Sequence, residues 1–227
     1  VEPEHTRLFD AQVAILPFFD TYRQPVVDRE IPVVVFERIA GRWTETARIA
    51  SPSPATTKAF GADVALSGST LVVGAPLHGG ASPTGAVFVY TKDATGWTLA
   101  QTIVPSAVQV GSLFGQAVGV APDTLAASTR WEGGSNFSGA VYAFGRRSGA
   151  WSLEQRLVPA AGAFGDAFGC DVSVLRDRVV AGASRHYVPG NPASGAAYVF
   201  ERTSGTWSEV ARIDAPAAAG IGGFGAA

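Results

Sequence analysis

Between residues 60 and 113 the apolar positions fall into four short runs: 62–66 (ADVAL), 70–74 (TLVVG), 85–91 (GAVFVYT) and 96–103 (GWTLAQTI). Each is of strand length and rich in β-branched or aromatic residues. Breaker residues separate them, namely Ser67-Gly68-Ser69, the Pro/Gly/Ser-rich stretch 76–84, and Lys92 to Thr95. Gly supplies positive φ at such points, while Ser, Asp and Pro favour turns. No run sustains an apolar period of 3.6, so the pattern predicts strands joined by turns and little helix.

The pattern recurs. Phe-Gly stands at Phe60-Gly61, Phe114-Gly115, Phe168-Gly169 and Phe224-Gly225, at spacings of 54, 54 and 56. A second marker is an aromatic followed seven residues later by Trp: Phe36 with Trp43, Tyr90 with Trp97, Phe144 with Trp151, and Phe200 with Trp207. A Pro follows each of these Trp residues by eight or nine positions, at Pro52, Pro105, Pro159 and Pro216. Four-stranded units of about 50 residues suit β-propeller blades, whose apolar faces are covered by their neighbours. The reading is therefore one all-β region over 1–227, with about four blades of four antiparallel strands forming a partial or small propeller. The repeats are 9–59, 60–113, 114–167 and 168–223, with the start of a further repeat at 224–227. The first copy is degenerate. Phe9-Asp10-Ala11-Gln12-Val13-Ala14 aligns with Phe60 to Ala65, but its middle is shortened and carries Asp20, Arg23, Asp28, Arg29 and Glu30.

Phe60-Gly61, Leu71-Val72-Val73-Gly74-Ala75-Pro76 and Gly85-Ala86-Val87-Phe88-Val89-Tyr90 occur in order. The unit so marked resembles the FG-GAP repeat of integrin α-subunit propellers and of many bacterial secreted or envelope proteins. The resemblance covers 60–223 well and 9–59 weakly. The second copy departs, with Ala127-Ser128-Thr129 read where Gly-Ala-Pro would stand, and the third has Gly182-Ala183-Ser184. Integrin-like copies bind calcium in an acidic loop between their first two strands, and calcium needs six to eight oxygen ligands. The corresponding connections here are Ser67 to Thr70, Pro122 to Thr124 and Arg176 to Arg178, which hold at most one carboxylate, Asp123 or Asp177. These Asp residues are read as turn formers, so the chain is a variant lacking the calcium loops, with no metal and no cofactor expected.

Other candidate chemistry is sparse. His5, His78 and His186 show no His-x-x-x-His spacing. His78 and His186 share an offset of 18 residues after their repeat's Phe, where the middle copy has Glu132, so a shared loop position accounts for them. Cys170, the single cysteine, follows Phe168-Gly169 in an expected inner strand and reads as a small buried hydrophobe. Four of the five Trp residues repeat and so read as packing. Trp131 stands outside the pattern, in the loop Arg130-Trp131-Glu132-Gly133-Gly134-Ser135-Asn136-Phe137, and an unpatterned loop aromatic is a candidate recognition anchor.

The resemblance implies a ligand face formed by two sets of loops. Those joining strands two and three are 76–84, 130–138 and 184–194, and those joining strand four to the next blade are 52–59, 105–113 and 159–167. Its candidate ligand-binding residues are His78, Arg130, Trp131, Glu132, Asn136, Arg185, His186, Tyr187 and Asn191, with no catalytic residue. A glycan site repeated in every blade would place similar side chains at one offset, yet the positions 17 after each Phe are Leu77, Trp131 and Arg185.

Composition narrows the partners. Of 227 residues 47% are hydrophobic and 16% charged, enough apolar content to bury a core. A net charge of −2 without a basic run offers no footprint for nucleic acid. No apolar stretch reaches the roughly 20 residues of a membrane-spanning helix. The function read from sequence is a non-enzymatic protein- or glycan-interaction module, extracytoplasmic by resemblance. The alternatives are an accessory subunit docking in a larger assembly and a noncatalytic propeller domain of a hydrolase. At this period seven blades need about 380 residues, so additional blades or an oligomer are expected to complete the ring.

Overall fold

The computed structural model describes residues 7–9, 13–16, 32–131, 138–163, 165–186, 195–216 and 223–226. The first sheet contains β1 (Arg7–Phe9), β2 (Val13–Leu16), β3 (Val33–Ile39) and β4 (Arg42–Ile49). A short strand β5 (Thr57–Lys58) precedes the second sheet, which contains β6 (Val64–Ser67), β7 (Thr70–Ala75), β9 (Ala86–Asp93) and β10 (Gly96–Ile103). Strand β8 (Leu77–His78) pairs with β5 outside that sheet, a pairing the sequence pattern does not announce. The third sheet is β11 (Val118–Val120), β12 (Thr124–Thr129), β13 (Ala140–Arg147) and β14 (Ala150–Leu157). The fourth is β15 (Phe168–Leu175), β16 (Arg178–Ala183), β17 (Ala196–Thr203) and β18 (Thr206–Asp214). All four sheets are antiparallel meanders, and the described residues contain no helix.

The core lies between the blades. Val33, Val35 and Ile49 of blade one pack with Val64, Leu71, Val73, Phe88 and Tyr90 of blade two. Val72, Val87, Val89 and Ile103 on the other side of blade two pack with Phe114, Leu125, Tyr142 and Trp151 of blade three. A third layer joins Ala126, Val141 and Leu157 to Phe168, Val179, Tyr198 and Trp207 of blade four. Strand alternation sends successive side chains to opposite faces, so a central strand such as β9 feeds two layers and is apolar and buried from Ala86 to Tyr90.

Phe60, Phe114 and Phe168 each fasten their own blade by packing on two aromatics of the third strand. Ring centroids are 5.6 Å and 6.4 Å from Phe60 to Phe88 and Tyr90, and 5.7 Å and 6.2 Å from Phe114 to Tyr142 and Phe144. Phe168 does the same with Tyr198 and Phe200, at 5.6 Å and 6.0 Å. The Gly that follows turns the chain at positive φ and donates to the end of the second strand, Gly61 to Gly74 O at 2.9 Å and Gly115 to Ser128 O at 2.9 Å. The register thereby corrects the sequence alignment of the second copy. Ser128 pairs with Val141 as Gly74 pairs with Val87, so Ser128-Thr129-Arg130, one residue later than read from sequence, stands where Gly-Ala-Pro does.

Buried polar contacts reinforce the junctions. Gln101 and Gln155 each clasp the main chain of the next blade's Trp, accepting from its N–H and donating to its carbonyl at 2.8–3.1 Å. The Asp63 carboxylate, itself buried, accepts from Val118 N of the next blade at 2.7 Å. Glu154 reaches from blade three to accept from Trp207 Nε1 at 3.0 Å and from Arg202 at 2.9 Å. Arg202 also holds Asp177, at 2.6 Å, which gives that turn Asp a definite partner. Glu154→Ala is expected to destabilise the fold by about 1–3 kcal/mol, because it leaves the Trp207 indole N–H without its acceptor and takes one carboxylate from a largely buried guanidinium that keeps Asp177 and Thr124. Asp177, more than half exposed, should cost under about 1 kcal/mol on the same truncation. Urea unfolding of the two variants checks this; equal losses would refute the inter-blade role of Glu154.

Candidate functional site

The two expected sets of loops meet along one end of the blades, and backbone hydrogen bonds tie them together. In blade two, Gly79 N and Gly80 N donate to Thr56 O at 2.9 Å and 3.2 Å. In blade three, Arg130 N and Trp131 N donate to Ser112 O at 3.0 Å and 3.2 Å, and in blade four Arg185 N donates to Asp166 O at 3.1 Å. Bonds also cross to the neighbouring repeat, from Gly111 N to Pro83 O at 2.7 Å and from Phe114 N to Thr84 O at 2.9 Å. Each loop joining strands two and three is thus seated on the connection that enters its own blade. That seat restricts the backbone before any ligand arrives.

Sequence reasoning missed the seats themselves. Ser112 and Asp166 are buried and both stand two residues before the repeat Phe, an offset visible in sequence but carrying no chemistry until the loop above is placed on it.

The candidate residues divide by exposure. Trp131 is 38% exposed, with the Arg130 guanidinium carbon 5.0 Å from its ring centroid, a cation–π pair on a fixed backbone. Arg185 is exposed. His78 is half-buried, its Nδ1 sharing a 2.7 Å hydrogen bond with Thr57 Oγ1 and its ring set edge-on to Phe88. Partial burial pushes its imidazolium pKa down, which favours the neutral ring. His186 is an interior residue, 6% exposed, with Nδ1 2.8 Å from Asp166 Oδ2 and its ring against Tyr198. Asp166 Oδ2 also accepts from Ala163 N at 2.7 Å, so this histidine latches a loop to its seat instead of facing a ligand. Glu132, Asn136, Tyr187 and Asn191 lie outside the described residues.

Elsewhere, Cys170 is half-buried, not fully buried as the sequence reading had it, and its thiol donates to Gly225 O at 3.1 Å. Trp151 and Trp207 are buried between blades under Arg146 and Arg202, in line with a packing role, whereas Trp43 at the outer side of blade one is exposed. Among the described residues no three His, Cys, Asp or Glu side chains gather as a metal site requires.

The family model for the FG-GAP repeat matches residues 43–90 and 151–200. No curated protein sequence matches the chain. Among solved structures, the Pseudomonas aeruginosa periplasmic gluconolactonase PpgL is similar, with a TM-score of 0.51 and 17% identity over 92% of this chain. The match covers 52% of that enzyme, so this chain spans about half its length. At such identity the likeness concerns the fold. Two repeat matches, Phe-Gly turns set against the next-blade junctions, and face-to-face four-stranded sheets show an array of β-propeller blades that carries FG-GAP repeats at 43–90 and 151–200.

Proposed function

We propose that the chain is a non-enzymatic interaction module that binds a protein partner or a glycan through the loop end of its blades. The observation carrying this reading is the exposed Arg130–Trp131 pair, whose backbone is clamped to the buried Ser112. A large aromatic held beside a cation on a restrained loop gives contact area at low ordering cost, the usual composition of a binding hot spot. Arg185 at the equivalent offset of the next blade extends the same end with a second cation. We place the module outside the cytoplasm, a reading supported by the family's occurrence in secreted and envelope proteins and by the periplasmic description of the similar structure.

The test begins by selecting ligands for the wild-type chain from a printed glycan array and a displayed peptide library. Arg130→Ala with Trp131→Ala should then weaken binding of the selected ligand by about 30-fold, the equivalent of roughly 2 kcal/mol. The melting temperature should stay within about 2 °C, because neither side chain is in a packed layer. Unchanged affinity with a large loss of stability would assign Trp131 to packing. Hydrolysis of gluconolactone above the buffer rate would favour the enzymatic alternative.

A further inference from the structure

In blades two to four, the connection entering the blade touches the loop joining its second and third strands at the same two repeat positions. Counted from the repeat Phe, these are two residues before it and 17 after it. In blade two they are Lys58 and Leu77, directly paired between β5 and β8. In blade three they are Ser112 and Trp131, joined by the bond from Trp131 N to Ser112 O. In blade four they are Asp166 and Arg185, joined by the bond from Arg185 N to Asp166 O. Each contact carries one exposed cation, supplied from a different repeat position: Lys58 on the seat of blade two, Arg130 beside Trp131 in blade three, and Arg185 on the loop of blade four. No single offset in the sequence shows this row, which forms only when loop and seat come together.

The backbone fixes where these charges stand. Thr57 is buried with its hydroxyl on His78, so strand alternation turns the next residue, Lys58, outward. None of the three cations forms an ion pair among the described residues. The described parts of these loops hold a single carboxylate, Asp166, which is buried against His186, and the rest of their sequence adds only Glu132. At the opposite end of the blades the signs are mixed. Asp93, Asp123 and Asp177 stand there among Lys92, Arg147 and Arg176, with Arg178 paired to Glu201 and Arg202 to Asp177. The exposed charge of the described loop end is thus positive, within a chain of net charge −2.

We infer that the loop end of blades two to four binds a linear glycan carrying a carboxylate on successive sugar residues, a polyuronate. The inference rests on the reading of this end as the binding face and names the chemistry of its ligand. A cation repeated once per blade matches a ligand whose anionic group repeats along its length, each guanidinium or ammonium meeting a carboxylate in a salt-sensitive contact. Trp131 favours a sugar chain over an acidic peptide. Its ring, held beside Arg130, offers an apolar face to the C–H groups of a pyranose while the guanidinium meets the carboxylate. The neighbouring Gly79-Gly80-Ala81-Ser82 is exposed and carries only small side chains, which leaves the row open to an extended chain.

Calorimetric titration of the full chain with oligogalacturonate and with alginate oligomers, each of about ten units, tests the inference. At least one should bind, with a Kd that rises about tenfold or more from about 50 to about 300 mM salt, and its methyl ester should not bind. Lys58→Gln, outside the Arg130 and Trp131 pair, should weaken that binding about three- to tenfold, as should Arg185→Gln. Arg147→Gln, an exposed cation in the hairpin between β13 and β14, should leave it unchanged. Trp131→Ala should weaken polyuronate binding by about fivefold or more without changing the weaker binding of poly-glutamate. Absence of binding by both polyuronates at about 1 mM would overturn the inference. Equal binding of the methyl ester would do so too, as would an effect of Arg147→Gln matching that of Lys58→Gln. Poly-glutamate binding as tightly as the polyuronates would overturn it in favour of an acidic peptide. If the polyuronates fail while a ligand selected from the array or the peptide library still depends on Arg130 and Trp131, this inference falls and the binding face stands; if no ligand depends on them, both fall.

Discussion

Replacing Gly85 with alanine is expected to cost the fold more than about 3 kcal/mol, from two separable causes. Gly85 adopts φ of +88°, which L side chains rarely take, and a Cβ there would lie 2.1 Å from Phe114 O and 2.4 Å from Phe114 N. Those are backbone atoms of the next blade's Phe-Gly turn, so relief requires the junction to open. Gly149 separates the causes, having φ of +85° with nothing within 4 Å of an added Cβ. Gly149→Ala should cost only about 1 kcal/mol, the conformational part alone. Chemical denaturation of both variants supplies the comparison, and near-equal losses would mean that the junction gives way easily. The chain tolerates a Cβ at one neighbouring position, since Ser128 stands where Gly74 does in blade two. There the Gly169 backbone approaches the serine, and an added Cβ on Gly169 would lie 2.9 Å from Ser128 Cβ. The glycine that opens the third strand shows no such exchange, being Gly85, Gly139 and Gly195 in turn.

Phe114→Ala is expected to destabilise by about 3–5 kcal/mol, the range for removing a fully buried aromatic whose cavity cannot collapse. Phe114 has no exposed surface and touches Tyr142 and Phe144 in the layer between blades two and three. Collapse is resisted because its backbone is pinned by hydrogen bonds from Phe114 N to Thr84 O and from Gly115 N to Ser128 O. The half-buried Phe60 should cost less, and Phe224, 36% exposed, less again. Thermal unfolding of the three variants should follow that order. A Phe224→Ala loss equal to that of Phe114 would show that the last Phe-Gly is as deeply engaged as the inner ones.

The strand runs and the Phe-Gly period were legible in sequence because both are local. Alternating apolar residues bounded by Gly, Ser and Pro specify strands and turns without reference to distant parts of the chain. In blade two the expected 70–74 and 96–103 became Thr70–Ala75 and Gly96–Ile103. The loop end was legible through motif position, and Arg130 and Trp131 do stand exposed on it. Which loop residues are interior was not. His78 and His186 look alike in sequence, yet one borders the surface beside Thr57 and the other is closed in by Asp166 and Tyr198, partners about 20 and 12 residues away. The one-residue displacement at Ser128 was likewise invisible, because Ala127-Ser128-Thr129 fits the small-residue pattern as well as Ser128-Thr129-Arg130 does, and only cross-strand pairing chooses.

By itself, then, the sequence determined the repeat, its strands and its turns, since each depends on residues a few positions apart. Tertiary structure alone decided what each glycine is for and which polar side chains are shared between blades. Gly74 and Gly85 meet the backbone of the following repeat, and Glu154 meets Arg202 across 48 residues of chain.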